Sequence, residues 1–211
     1  MLEEDELTRD HWWWRPGWSL GRSFYTWHIT FGPDSPIRAL VPVFAPTVSA
    51  IATMAPVTAS GLHITIQGIG FTDEVDAGDI DRIVAAAECR LAARAAFTVR
   101  VGPPIVDSET IQLPIADLSP LAGIRDDLQD AIGQVWGSEH VPERGNAFNP
   151  HLTVAYSTGA ASIPAIRSQL AAGGVAHVQA EDRIGAVSLI RLNRDRGAYE
   201  WTDVTRAELG R

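Results

Sequence analysis

The feature that most constrains this chain is a short motif, His-x-Thr followed by an apolar residue, which opens two similar halves of the sequence. It stands in GLHITIQGIG at 61–70 and returns in NPHLTVAYS at 149–157. Both copies start apolar, β-branched runs next to glycine or proline, a pattern typical of strands. A third copy lies in YTWHITFG at 25–32.

The elements predicted after the two motifs follow a similar order. From 63 to 116 the apolar spacing predicts a strand, a helix and two strands, and from 151 to 204 it predicts a strand, a helix and three strands. The predicted helices cover 79–96, 119–137 and 162–174, and the predicted strands cover 22–31, 63–69, 97–102, 109–116, 151–157, 176–181, 186–193 and 198–204. Asp79 and Ser119 are the expected caps of the first two helices.

This order indicates an internal duplication whose sequence identity has mostly been lost. It predicts an α+β protein with two antiparallel sheets that face each other. Residues 1–21 are interpreted as an acidic tail (1–10) and a tryptophan-rich arm, and residues 22–211 as a single domain with lobes around 63–116 and 151–204.

The motif matters because alternate residues of a strand point to the same face. His63, Thr65 and Gln67 would share one face. In the second motif, Leu152, Val154 and Tyr156 would take the apolar face, and the histidine and threonine would look the other way. Each polar pair therefore points toward water or a cleft.

Two such strands facing each other would bring two imidazoles and two hydroxyls around one small volume. A neutral histidine can deprotonate the attacking water or hydroxyl, while a protonated one donates to the leaving oxygen. Threonine hydroxyls can donate to the non-bridging oxygens of a phosphate. The arrangement suits displacement at phosphorus and requires no metal or other cofactor.

At this point the sequence resembles the two-histidine phosphoesterases of the 2′-5′ RNA ligase-like superfamily. That family carries two His-x-Thr/Ser-x motifs usually about eighty to ninety residues apart, and here the motif histidines are 88 positions apart. LHITIQGIGF is similar to the first motif and FNPHLTVAYS to the second, and the likeness extends over roughly 22–205.

The resemblance implies a bilobal fold with helices flanking two pseudo-symmetric sheets and a central cleft. It implies metal-independent cleavage, or reversible joining, of RNA-type phosphodiesters such as 2′,3′-cyclic phosphates and 2′-5′ linkages. Carried over residue by residue, it makes His63 and His151 the catalytic pair and gives Thr65 and Thr153 the role of binding phosphate. It leaves open which histidine is the base.

The third motif copy departs from the family pattern. Its strand lies in the sheet that borders the family's cleft, so substrate contact and a structural histidine at the sheet surface are both compatible with its position. The candidate substrate contacts are His28, Thr30, Tyr25 and Tyr156.

The other histidines and the basic residues of the last hairpin receive structural interpretations. A structural role is expected for His11, His140 and His177. The side chains of Arg191, Arg194 and Arg196 could hold a substrate phosphate, but a solvated loop is the expected interpretation.

Two further segments have alternative interpretations. The arm HWWWRPGWSLGR can pack over the body or offer a stacking surface to a base. The apolar run at 37–57 contains Pro42, Pro46 and Pro56, and it is read as packed core plus loop rather than as a membrane span.

Composition narrows the partners. The formal net charge of −9 argues against tight binding to long nucleic acid, which depends on Lys and Arg. A small nucleotide or a short RNA end fits better as substrate. The single cysteine, Cys89, excludes a disulfide framework and favours the cytoplasm, and a monomer without membrane association is expected.

Two other classes of function remain open. The three motif histidines could form a zinc site, although no carboxylate is apparent to orient them. A nucleotide-binding protein without turnover could use the same scaffold.

Overall fold

The computed structural model describes residues 6–210, which form ten strands and four helices. The strands are β1 (Phe24–Thr30), β2 (Met54–Pro56), β3 (His63–Phe71), β4 (Phe97–Val101), β5 (Ile105–Val106), β6 (Thr110–Pro114), β7 (His151–Ser157), β8 (Ala180–Ile184), β9 (Ala186–Asn193) and β10 (Glu200–Glu208). The helices are α1 (Leu40–Ser49), α2 (Ala77–Leu91), α3 (Ser119–Trp136) and α4 (Ile163–Ala172). Short 3₁₀ helices span Pro36–Ala39, Ala59–Gly61 and Ser138–His140.

Two four-stranded antiparallel sheets carry the fold. The first sheet has the order β10-β9-β1-β3 and the second sheet the order β2-β7-β6-β5, while β4 and β8 form a separate two-stranded sheet. Each of these sheets combines strands from both halves of the sequence. The half-repeats therefore exchange strands, instead of each folding into a lobe of its own.

Helices flank both sheets. The pair α2 and α3 pack on each other and contact the first sheet at β10 and β3. The pair α1 and α4 contact the second sheet at β2, β7 and β5. This arrangement confirms the predicted α+β class with two helix-backed antiparallel sheets.

The apolar stripes predicted for the helices are buried. In α2, Ile80 and Ile83 have almost no exposed surface, and in α3 the same is true of Leu121 and Leu128. Burial of such stripes supplies most of the stability of helices of this length, because the apolar area is removed from water.

The predicted caps are off by a few residues. Asp76, not Asp79, caps α2 by accepting a hydrogen bond from the Gly78 amide. Ser119 is already helical, and its amide donates to the Asp117 carboxylate. Both corrections follow from side-chain acceptors that lie two residues before the amide they bind.

The interpretation of 37–57 as core plus loop is wrong in its second part. Residues 40–49 form α1, with Pro46 inside the helix. Buried Leu40, Phe44 and Val48 recur every fourth residue, so packing outweighs the cost of the proline. None of the helices within residues 6–210 has both the length and the apolar character needed to cross a membrane.

Two strands also differ from expectation. The strand predicted at 176–181 lies at Ala180–Ile184, where it pairs with β4, and the pair Ile105–Val106 joins the edge of the second sheet without a clear sequence signal.

The segment before the first strand is held against the body. Backbone amides of Thr8, Arg9 and His11 donate to the carbonyl oxygens of Ala161, Ser108 and Ser157 at 2.8, 2.7 and 2.9 Å. The interpretation of residues 1–10 as a tail is therefore wrong for residues 7–10, because their amides donate to backbone carbonyl oxygens of the body instead of to water. Residues 1–5 lie outside the described residues.

Candidate active site

The two motif strands meet across a cleft between the sheets. β3 forms an edge of the first sheet, β7 lies inside the second, and the two strands contact each other. The cleft has a volume of about 560 Å³, within the range of about 300–1,000 Å³ typical of small-molecule sites. His63, Thr65, His151 and Thr153 all line it.

The two motif histidines have the same local geometry. The Nδ1 atom of His63 lies 2.8 Å from the carbonyl oxygen of Gly61, and that of His151 lies 2.9 Å from the carbonyl oxygen of Asn149. In each case Nδ1–H donates to the residue two positions earlier, so the proton is fixed on Nδ1. The Nε2 atom of each ring is thereby left available to the cleft.

The environments of the two rings differ. His63 is buried, whereas His151 is half-buried. Burial lowers the pKa of His63 to about 4, and the charge of His151 acts in the same direction against the opposing hydrogen bond to Gly61. His63 is consequently neutral near pH 7.

Both motif strands carry a β-bulge at the fourth motif position. In β3, Thr65 pairs with His28 and Gln67 pairs with the neighbouring Trp27, so that Ile66 is the extra residue. In β7, Thr153 and Ala155 pair with adjacent residues of β6, and Val154 is the extra residue. A bulge changes which side chains face the site.

Because of these bulges, two side chains point to the opposite face from the one predicted. Gln67 leaves the cleft face, and its Oε1 accepts from Arg125 at 3.2 Å and from Gln129 at 2.9 Å on α3. Tyr156, predicted on the apolar face, instead lines the cleft with His151.

The histidine of the third motif copy lies beside His63. The rings of His28 and His63 stack with centroids 4.5 Å apart and an interplanar angle of 6°. The Nε2 atom of His28 lies 3.2 Å from Thr65 Oγ1. His28 is 1% exposed, and burial holds its pKa well below the ordinary value.

Two candidate substrate contacts lie away from the cleft. The described residues along its walls do not include Tyr25 or Thr30. The hydroxyl of Thr30 lies 3.1 Å from that of Ser188, within the first sheet. Tyr25 packs against the hydrophobic core.

The tryptophan-rich arm, residues 11–21, packs over the body and also forms part of the cleft. His11, Arg15 and Trp18 line the cleft. Trp18 packs at 5.9 Å from the ring of Phe24 and 5.2 Å from that of Phe71. The sequence left two interpretations open for this arm, packing over the body and a stacking surface for a base, but it gave the arm no position relative to the motif histidines.

The carboxylate of Glu109 fastens the arm to the second sheet. It accepts hydrogen bonds from Arg9, His11, Trp13 and Arg15 at 2.6–3.2 Å. The other nitrogen of His11 lies 3.0 Å from the Tyr199 hydroxyl. Burial is the main reason that the pKa of His11 is lowered to about 4.

The last hairpin contributes a residue that sequence analysis placed in solvent. Arg194 is only 3% exposed and lines the cleft beside Tyr199. Arg191 is exposed but lies in strand β9 instead of a loop, and exposed Arg196 lies in the turn and pairs with Glu200. The Arg194 prediction is wrong because the arm, far away in sequence, covers the hairpin.

The opposite wall is the loop between α3 and β7. Arg125 donates to the carbonyl oxygens of Glu143 and Asn146 at 3.1 and 3.4 Å, and its guanidinium lies 4.7 Å above the Phe148 ring. Among the described residues, the charged side chains along the cleft other than histidine are three arginines and one glutamate, Arg15, Arg125, Arg194 and Glu143. The cleft is therefore more positive than the chain as a whole.

The remaining histidines are not in the cleft. His140 and His177 are exposed. Within residues 6–210 no group of three or more His, Cys, Asp or Glu residues could hold a metal ion. The Nε2 atom of His28 instead lies within hydrogen-bond distance of the Thr65 hydroxyl.

Comparison with known proteins gives a family match over most of the chain. The model of the 2′-5′ RNA ligase superfamily matches residues 42–196. No curated protein sequence matches the chain significantly.

Solved structures share the fold at low identity. TT0787 of Thermus thermophilus has a TM-score of 0.70 at 16% identity, covering 88% of this chain and 97% of its own. E. coli LigT, crystallised with 3′-AMP, has a TM-score of 0.67 at 16% identity, covering 90% and 99%. The MHV ns2 PDE domain has a TM-score of 0.54 at 12% identity, covering 81% and 99%.

Proposed function

The chain belongs to the 2′-5′ RNA ligase superfamily, and on that premise we propose that it is a metal-independent phosphodiesterase acting on RNA-type phosphodiesters. The superfamily comprises phosphoesterases and ligases, which supports an enzyme of phosphodiesterase type. Its proposed substrates are 2′,3′-cyclic phosphate ends or nucleotides, or 2′-5′ linkages. The E. coli LigT structures with 3′-AMP and with ATP support a small nucleotide or a short RNA end.

One observation carries this proposal. Two imidazoles line one cleft, and each is held by its Nδ1 atom on a backbone carbonyl two residues earlier. The matching tautomers leave two Nε2 atoms to act on one substrate. A proton acceptor and a proton donor on opposite sides of a phosphorus atom are the requirement of in-line displacement.

The two environments favour one assignment of roles in hydrolysis. Buried His63, whose pKa is lowered to about 4, is the general base and takes a proton from water through Nε2. The hydroxide oxygen bonds to phosphorus as the bond to the leaving ribose oxygen breaks. Half-buried His151 is the general acid, and its Nε2–H protonates that oxygen. In the ligation direction the roles reverse.

The threonine hydroxyls are proposed to stabilise the charge on the non-bridging oxygens. Thr65 and Thr153 line the cleft, each two residues after its motif histidine. Hydrogen bonds aimed at developing negative charge are worth several kcal/mol in a site shielded from water, on the order of 3 kcal/mol for one donor.

His28 is proposed to orient Thr65 instead of contacting substrate. Its Nδ1 atom is buried without a partner among the described residues, and a proton there would be a buried donor without an acceptor. The proton therefore belongs on Nε2, which donates to Thr65 Oγ1. The hydroxyl hydrogen of Thr65 is then free to point toward the phosphate.

The test is hydrolysis of the four nucleoside 2′,3′-cyclic monophosphates and a 2′-5′-linked dinucleotide in excess EDTA. We expect turnover by the wild type and a loss of at least about a thousandfold in His63→Ala and in His151→Ala. His177→Ala, which removes an exposed histidine outside the cleft, is the matched control and should keep full activity. Turnover that requires a metal, or that survives in either motif variant, would refute the mechanism.

A further inference from the structure

A buried arginine, Arg194, lines the cleft. Arg194 is 3% exposed, and one of its amino groups donates to the carbonyl oxygens of His11 and Trp13 at 3.1 and 3.2 Å. Within residues 6–210 it forms no ion pair with a carboxylate. A buried charge without a partner is costly, so this position requires an explanation beyond packing.

A second arginine lies close to the first. Burial and the charge of Arg15 lower the pKa of Arg194, whereas Tyr199, Glu109 and Asp10 raise it, and both arginines line the cleft. Arg15 pairs with Glu109 at 2.6 Å, but that carboxylate is shared with Arg9 and His11. The Nε atom of Arg15 is buried without a partner in the described part of the chain. Positive charge is therefore in excess here.

Aromatic rings hold the Arg194 guanidinium in place. It lies 5.5 Å from the ring of Trp12, 5.8 Å from that of Trp18 and 5.9 Å from that of Tyr199. A guanidinium fixed in this way loses little freedom when it binds an anion. Arg15 and both tryptophans come from the arm, which lies outside the segment 42–196 matched by the family.

This positive site is separate from the position between the motif histidines. The Tyr199 ring lies 5.6 Å from the His63 ring and 5.9 Å from the Arg194 guanidinium. The His63 ring centroid and the Arg194 guanidinium are therefore at most about 11.5 Å apart. Two anionic groups of one nucleotide ligand can occupy the two positions together.

We propose that Arg194 and Arg15 form a second anion-binding subsite, which takes a phosphate group of the substrate other than the scissile one. A guanidinium group can donate two parallel hydrogen bonds to two oxygens of one phosphate, which contributes both affinity and orientation. The inference rests on the proposed function for the substrate class alone. The second phosphate can be a terminal 5′-phosphate or the internucleotide phosphate of a short RNA end.

Equilibrium binding tests the subsite without requiring turnover. Calorimetry compares adenosine 3′-monophosphate, adenosine 3′,5′-bisphosphate and the dinucleotide ApAp, whose second phosphate is internucleotide. We expect the wild type to bind one or both two-phosphate ligands at least about tenfold more tightly than the monophosphate, as expected for hydrogen bonds between charged groups. The preferred ligand identifies the source of the second phosphate.

Three variants locate the effect. Arg194→Gln and Arg15→Gln should reduce the preference to about twofold or less, while Arg191→Gln, on the exposed face of the same hairpin, should keep it. Arg15→Gln retains the contacts of Arg194 with the arm and covers the case in which Arg194→Gln does not fold. Equal wild-type affinity for all three ligands, or a preference that survives in Arg15→Gln, would overturn the subsite.

Hydrolysis of 2′,3′-cyclic nucleotides, measured in parallel, separates the two proposals. A binding preference without turnover would keep the subsite and refute the proposed function. Turnover without a preference for the two-phosphate ligands would support the proposed function and refute the subsite.

Discussion

The His63 ring is buried and stacked on the fully buried ring of His28, and this environment sets the chemistry available to it. Burial is the main reason that the pKa of His63 falls to about 4, and the charge of His151 acts in the same direction. The His63 ring is therefore neutral at neutral pH, as the proposed role of general base requires, and it becomes protonated only in acid.

The pH dependence of activity follows from this shift. In the free enzyme, kcat/KM for a 2′,3′-cyclic nucleotide should rise with pH through about 4, because below that value His63 carries a proton and cannot accept another. An unperturbed histidine would place this limb near about 6.5. An acid limb between about 6 and 7 in the measured profile would assign the base to another group.

The positioning role of His28 can be separated from a direct role by a double-mutant cycle. Thr65→Val should lower kcat by about a hundredfold, as for loss of one charge-stabilising donor. His28→Phe keeps a flat ring but removes the Nε2 donor, and should lower kcat by about tenfold. If His28 acts through Thr65, the double variant should be no slower than Thr65→Val alone.

Multiplicative losses in that double variant would show that His28 acts independently of Thr65. Thermal unfolding of all three variants checks that the comparison is made between folded proteins.

At the scale of elements, the sequence predicted those helices and strands whose formation depends on the spacing of their own apolar residues. The stripe of α3 and the strand β7 follow from residue spacing, and so does the position of both motif histidines. Helix α1 was missed because its prolines count against a helix in isolation, whereas its buried face decides the outcome in the fold. The bulges at Ile66 and Val154 depend on the partner strands, so alternation alone misassigned Gln67 and Tyr156.

The arm is an element whose docking depends on one carboxylate. Glu109→Gln keeps the size of the side chain but removes the charge that Arg9 and Arg15 share. Loss of a partly buried charge partner should cost the docked state about 2–3 kcal/mol. We expect faster proteolysis within residues 7–18 and a red-shifted tryptophan emission, because the arm rings become exposed to water.

Glu208→Gln is the matched control, since Glu208 is exposed and pairs with Arg206 at the surface. Equal proteolysis of the two variants would mean that the arm is held by its backbone hydrogen bonds alone.

At the scale of the whole molecule, contacts between distant parts of the sequence complete the site. Arg194 meets the carbonyl of His11 across 183 positions, and no local pattern reports such a contact. The family resemblance supplied the cleft, but the arm lies outside the matched segment. The position of the arm in the cleft wall was for that reason not predictable, although a stacking surface for a base was one of the two interpretations of the arm.

Three buried histidines make the stability of the molecule depend on pH. His11, His28 and His63 have pKa values lowered by burial, whereas the unfolded chain titrates them near about 6.5. As pH falls below that value the unfolded state binds more protons than the folded one, so the free energy of unfolding decreases. Between pH 7.5 and 5.5 the loss should be about 1.3 kcal/mol for each histidine.

Urea unfolding at the two pH values measures this loss above the isoelectric point of about 5.0. His28→Phe should show a pH dependence smaller by one histidine, and His177→Ala, at an exposed position, should match the wild type. A wild-type stability that does not change between pH 7.5 and 5.5 would contradict the burial of neutral imidazoles.

The exchange of strands between the two halves also determines when the first sheet can be completed during synthesis. β1 and β3 are synthesised early, but their sheet is completed only by β9 and β10, which end at Glu208. During translation β3 can therefore pair only with β1 until β9 and β10 have been synthesised. Pairing between strands so far apart in sequence is slow. A chain that ends before Ala186 contains all four strands of the second sheet but only β1 and β3 of the first, and it lacks the cleft residues Arg194 and Tyr199.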